Sequence, residues 1–123
     1  MITTLFEDGY VVNRVGGNIT IRELLNYAQN NVASWVSEPV LWDLSNSTMT
    51  EDASDYAAIR AIVGNIHQLV EKRKGRKTAF VAPDPLTYGM LRMAITIVEC
   101  YQSHSIASIF SDIETAYAWL KEA

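Results

Sequence analysis

Residues Pro39 to Leu44 read PVLWDL, and the chain runs on through SNSTMTEDAS to Ser54. PVLWDL is apolar almost throughout over the length of one strand, the pattern of a strand covered on both faces of a sheet. An amphipathic helix follows, because Tyr56, Ile59, Val63, Ile66 and Val70 recur at spacings of three and four and make one apolar stripe. A buried strand followed by a crossover-length helix is the building unit of a parallel sheet.

The alternation extends in both directions. Downstream, Gly75 ends the helix and KTAFVA (Lys77 to Ala82) reads as the next strand. Asp84-Pro85 supplies an N-cap with proline at the first helical position, and Leu86, Met90, Met93 and Ile97 form the stripe of that helix. IASIF is the last strand. Ser111-Asp-Ile-Glu114 reads as a capping box before a closing helix with Ile113, Tyr117 and Leu120. Upstream, TTLF and YVVNRV flank EDG, a hairpin signal. After Gly16-Gly17-Asn18, the capping box Thr20-Ile-Arg-Glu23 opens a helix through about Val32. The order ββαβαβαβα predicts an α/β fold with a mixed, mostly parallel sheet and right-handed crossovers. With no repeat or linker, residues 1–123 read as a single domain.

Composition excludes several classes of function. The formal charge of −4 offers no basic footprint for nucleic acid. The basic run EKRKGRK (Glu71 to Lys77) lies at a helix end, where cations complement the dipole. A lone cysteine, Cys100, excludes an internal disulfide, and no apolar run has the length of a membrane span. MITTLFEDGY carries early acids and no apolar signal core, so the expected compartment is the cytoplasm.

Ligands of such sheets gather beyond the carboxyl ends of the parallel strands. Ser45 to Ser54, Pro83 to Tyr88 and Ser111 to Glu114 are expected there. Thr48-Met-Thr-Glu51 reads as a capping box, which gives Thr48 a structural reason beside any role as phosphoacceptor. Ser45, Ser47, Thr50 and Ser54 can satisfy loop backbone groups in the same way. Asp43, an acid at the end of an apolar strand, must find donors, and loop amides are the expected ones. Asp84, Tyr88, Arg92 and Met93 stand at or near the start of a helix over the same edge. Arg92 has the fork to clamp an anion or to pair with Asp84 or Glu99. Gly89 is expected to permit close helix packing. His67, His104 and Cys100 have no partner at ligand spacing, so neither metal nor cofactor is expected. With no nucleophile elbow, P-loop or dinucleotide fingerprint, the chain is read as a non-enzyme.

The chain also resembles the STAS domains, the fold of the bacterial anti-sigma-factor antagonists, over nearly its whole length. NRVGGNITIRELLNYAQN is similar to the family's second strand, Gly-containing turn and first helix. VLWDLSNSTMTEDASDYAAIRAIV resembles the strand, loop and helix that carry its regulatory serine. KGRKTAFVAPDPLTYGMLRM and IASIFSDIETAYAWL resemble the last two strand–helix pairs. YGMLRM and the closing AYAWL are typical of small stand-alone SpoIIAA-like proteins, sometimes called STAS/SEC14-like. The resemblance implies a regulatory signalling module that docks a kinase-like or anti-sigma partner through its loop edge. It also departs from the pattern. The family's Ser-Gly-Leu acceptor sequence is absent, and its position falls on TEDASDY, nearest Ala53 or Ser54, among Glu51, Asp52 and Asp55. A phosphate there meets repulsion from those carboxylates, so no standard phosphoserine switch is expected. The SEC14 likeness implies an alternative, a binder of a small apolar or amphipathic, lipid-like ligand near Met49, Met90 and Met93. Homodimerisation through exposed aromatics such as Trp35 or Tyr101 is a third reading.

Overall fold

A computed structural model describes residues 1–35, 37–50, 56, 57, 59–62, 64, 65, 75–100 and 106–122. Strands β1 (Ile2–Glu7) and β2 (Tyr10–Thr20) form the expected hairpin, paired from Glu7↔Tyr10 to Ile2↔Val15. Asp8 and Gly9 turn it with φ of +48° and +83°, the doubly left-handed geometry that suits strand twist. Helix α1 (Ile21–Asn31) starts at Thr20, whose hydroxyl accepts from the Glu23 amide at 3.1 Å while Glu23 bonds back to the Thr20 amide. This is the capping box read from the sequence. A 3₁₀ turn (Val32–Trp35) leads to β3 (Val40–Thr50). Residues 56, 57, 59–62, 64 and 65 are helical (α2). Then come β4 (Lys77–Val81), α3 (Pro85–Cys100), β5 (Ile106–Phe110) and α4 (Ile113–Lys121).

The strands lie in the order β1-β2-β3-β4-β5, antiparallel only at the first pair. Each crossover steps the same way across the sheet, so crossovers of one hand put their helices on one face. Val11, Val15, Val40, Trp42, Leu44 and Ala82 share a core with residues of α1, α2 and α3. On the other face Val12, Leu41, Ala79 and Val81 pack with Ala116 and Leu120 of α4. Both faces of β3 are thereby covered, which is why PVLWDL reads as continuously apolar. Lys77 ties α4 to the sheet: its ammonium donates to the Trp119 and Glu122 carbonyls at 2.7 and 3.1 Å and lies 4.9 Å from the Trp119 ring centroid.

Several local expectations are corrected. Gly16-Gly17-Asn18 does not leave the sheet; β2 continues to Thr20, with Gly17 at φ +76°. β3 likewise runs on to Thr50, so Thr48 is a strand residue paired with Asn18 and caps no helix. The cap of α4 is Asp112, one residue beyond Ser111, because its carboxylate reaches the Thr115 amide at 2.8 Å. The α3 stripe is rotated. Thr87, Met90, Leu91, Ala94, Ile95 and Ile97 are buried while Leu86 is exposed, because the buried face is centred on Thr87, Leu91 and Ala94 and Leu86 falls to its side. Tyr56 is exposed beside Arg60, 6.0 Å from ring centroid to guanidinium carbon, so it lies off the buried stripe of Ile59 and Ile62. Gly89 is exposed and a Cβ there would meet nothing within 4 Å, so no close packing explains it. Val63, Ile66, His67 and Val70, most of the basic run, and Tyr101 and His104 lie outside the described residues.

Candidate functional site

The carboxyl end of the sheet is shaped by an irregularity in β3. Arg14 pairs with Asp43, but two residues further along β2 Gly16 pairs with Asn46, so β3 carries one extra residue there. Such a bulge leaves a backbone amide without a ladder partner. Asp43 supplies the acceptor: its Oδ1 takes the Ser45 N–H at 3.0 Å and also the Ser45 hydroxyl. The half-buried acid at the end of the apolar strand thus finds a local amide, at the exposed edge of the bulge.

The bulge also changes which residues face the core. Ahead of it Val40, Trp42 and Leu44 point toward α1–α3; beyond it the inward residue is Met49, paired with Ile19. Side chains alternate with period two, so without the extra residue Thr48 would take the inward position and Met49 the outward one. Met49 and Ile19 are buried, whereas Ser45, Thr48 and Thr50 are exposed and Ser47 half-buried. Ser47 donates to the Leu44 carbonyl at 2.9 Å and Thr50 to the Ile19 carbonyl at 3.4 Å. Because β4 pairs with β3 only as far as Asp43↔Val81, residues 46–50 and 16–20 extend past it as a two-stranded ribbon.

Helix α3 begins beyond the end of β4. Asp84 Oδ2 accepts from the Thr87 amide at 3.0 Å and the Thr87 hydroxyl at 3.1 Å, so this acid is committed to capping. Tyr88 and Arg92, four residues apart on one helix face, are exposed. Arg92 makes no ion pair with Asp84 or Glu99 among the described residues. Met93 is half-buried against the core, and Met49 and Met90 belong to that core. The hydroxyls of β3 and the exposed start of α3 therefore share the carboxyl end of the sheet. Ser54 lies outside the described residues. Among the described residues no three His, Cys, Asp or Glu side chains are placed to hold a metal ion, and no helix is long and apolar enough to cross a membrane.

A second polar feature escapes reading from the sequence. Asn13 on β2 is fully buried, its Oδ1 accepting from the Thr4 hydroxyl at 2.7 Å, and Thr4 in turn meets the Tyr27 hydroxyl. Among the described residues the Asn13 Nδ2 has no hydrogen-bond partner. Around this network Tyr27, Trp35, Trp42 and Phe80 form an aromatic row, with Trp35 and Trp42 edge to face at 5.7 Å. Trp35 is only 3 % exposed, so it is a core residue and no dimerisation anchor. NRVGG offers no periodic cue that Asn13 is inside, beyond its place between Val11 and Val15 in the alternation.

No family model and no curated protein matches this chain. Solved structures do. An uncharacterised protein of the DUF3478 family with a SpoIIAA-like fold, from Shewanella loihica PV-4, is similar over 98 % of this chain and 92 % of its own at 14 % identity and a TM-score of 0.54. The anti-sigma factor antagonist SpoIIAA in its unphosphorylated form is similar over 96 % of this chain and 94 % of its own, at 10 % identity and a TM-score of 0.56. The five-stranded sheet with its helices is a SpoIIAA-like fold, as the resemblance implies, and it is mixed and mostly parallel, as the order of elements predicts.

Proposed function

We propose that this chain is a non-enzymatic, cytoplasmic protein-interaction module that docks a regulatory partner through the carboxyl end of its sheet. The β2–β3 ribbon and the start of α3 form the contact surface, and the standard phosphoserine switch plays no part. The observation that carries this reading is the bulge at Ser45. It fixes Met49 in the core and turns Thr48 and Thr50 to solvent on strands held by ladder hydrogen bonds. A surface ordered before binding loses less conformational entropy when a partner docks. Support also comes from the likeness to a protein described as an anti-sigma factor antagonist, aligned over nearly both chains. Exposed Leu86 and Tyr88 add apolar and aromatic area at the same end of the sheet. The test is native mass spectrometry of the protein purified from its own host. A stoichiometric protein partner supports the module, and a chain carrying a phosphate adduct with no partner contradicts it.

The second reading, a binder of a small lipid-like ligand, has one specific support: the buried Asn13 amide, a donor with no acceptor, set in an aromatic row. A ligand carbonyl or hydroxyl oxygen would complete that network. A co-purifying mass of lipid size that is lost in Asn13→Leu would favour this reading over the first.

A further inference from the structure

An open groove of about 820 Å³ runs between the β1–β2 turn and α4, on the sheet face opposite α1–α3. It begins at the amino end of β2, and the proposed docking ribbon lies at the carboxyl end of that eleven-residue strand, from about 20 to about 33 Å along it. The two surfaces are separate.

Two tyrosines line the groove. Tyr10 from β2 and Tyr117 from α4 meet edge to face, with centroids 6.1 Å apart and planes at 82°. Burial, with the nearby Glu7 carboxylate, raises the Tyr117 pKa, so its ring stays a neutral phenol throughout the physiological range. Glu7 and Asp8 from the turn and Glu114 from α4 also line the groove, against one ammonium, Lys121. A second cation stands beside the lining: the Arg14 guanidinium lies 4.0 Å from Glu7, a half-exposed pair of little energetic weight that another cation can replace. Aromatic faces attract ammonium and guanidinium groups through their quadrupole, and carboxylates add to that attraction.

We infer that this groove seats a lysine- or arginine-bearing segment of a partner protein, its cation held against the tyrosine rings and among the three carboxylates. The openness of the groove favours a segment of chain over a small free cation. A small cation would stay largely hydrated there, whereas an extended segment also buries its stems and backbone.

The experiment is fluorescence anisotropy with a labelled Lys-Gly-Lys-Gly-Lys peptide against the intact protein. Binding is expected to weaken about twofold to fivefold in Tyr117→Leu and to persist in Tyr117→Phe, which keeps the ring. Asp8→Asn with Glu114→Gln should weaken it further. Asparagine tolerates the left-handed backbone at residue 8, so that pair of changes leaves the turn intact. Lys121→Gln should strengthen binding. A control that removes two acids elsewhere, Glu38→Gln with Glu99→Gln, should leave affinity unchanged. The inference is overturned if the control weakens binding as much as the groove pair does. It is equally overturned if Asp8→Asn with Glu114→Gln binds like the wild type, or if the wild type does not bind the peptide.

Discussion

Asp43 accepts the backbone N–H of Ser45 at 3.0 Å across the bulge in β3, and through that bond it sets which side chains the rest of the strand presents. Asp43→Ala removes the acceptor of the exposed Ser45 amide and is expected to lower stability by about 0.5–1.5 kcal/mol, the net value of one hydrogen bond. Asp43→Asn keeps an oxygen at the same place and should recover most of that loss. Urea denaturation measures both. Amide hydrogen exchange should speed up at residues 46–50 in the alanine variant and not at Val40 or Leu41, which precede the bulge.

Thr48 and Met49 are neighbours with opposite fates. Met49→Ala empties a core position and should cost about 2–5 kcal/mol. Thr48→Ala should change stability by no more than about 0.5 kcal/mol, as surface strand substitutions do. A helix N-cap at Thr48 would cost about 1 kcal/mol on the same change. Thermal denaturation of the two variants therefore separates a strand residue from a cap.

The Thr4–Asn13–Tyr27 network predicts a coupling. Thr4→Val removes the donor to the Asn13 oxygen and should cost about 1–3 kcal/mol, because a buried acceptor is left unmade. Adding Asn13→Leu removes the whole amide, including the nitrogen that has no partner, and the double variant should be more stable than Thr4→Val alone. A double-mutant cycle with equal, additive losses would show that the two side chains act independently.

Asp112 gives a pH dependence. Hydrogen bonds from the Thr115 backbone and side chain hold its pKa below the ordinary 3.8 of an aspartate. Its pKa is depressed by folding, so its contribution is complete above the unfolded-state value and is lost as pH falls through the folded-state value. Asp112→Asn retains a capping oxygen without titrating, so its melting temperature should fall less steeply than the wild type's below pH 4. Asp112→Ala should lower the melting temperature at neutral pH, and Ser111→Ala should not.

The centre of the sheet was legible because β3 and β4 are covered on both faces and their hydropathy says so: Val40 to Trp42 are all buried, as are Ala79 and Val81. Caps at Thr20 and Asp84 were legible for a related reason, since each is a local bargain between a side chain and an amide three residues on. The ends of β2 and β3 were not. Gly16, Gly17, Ser45 and Ser47 belong to turn-forming residue types, and only the pairing of two strands distant in sequence keeps them extended. Helical stripes showed period but not phase. In α3 the same residues can be read with Leu86 inside or outside, and the sheet beneath decides. The candidate site was legible as a place on the fold. Its shape depends on a one-residue bulge, which leaves no periodic trace because it breaks the period.

If the β2–β3 ribbon docks a partner, a single exposed change there should break the complex. The most direct measurement is quantitative capture of host proteins by the wild type, by Thr50→Arg and by Asn30→Arg, an exposed change on α1 at the other end of the sheet, with the melting temperature of each recorded. One partner should be retained by the wild type and by Asn30→Arg and lost by Thr50→Arg at an unchanged melting temperature. Equal retention of that partner by Thr50→Arg, or its equal loss by Asn30→Arg, would contradict docking through the ribbon.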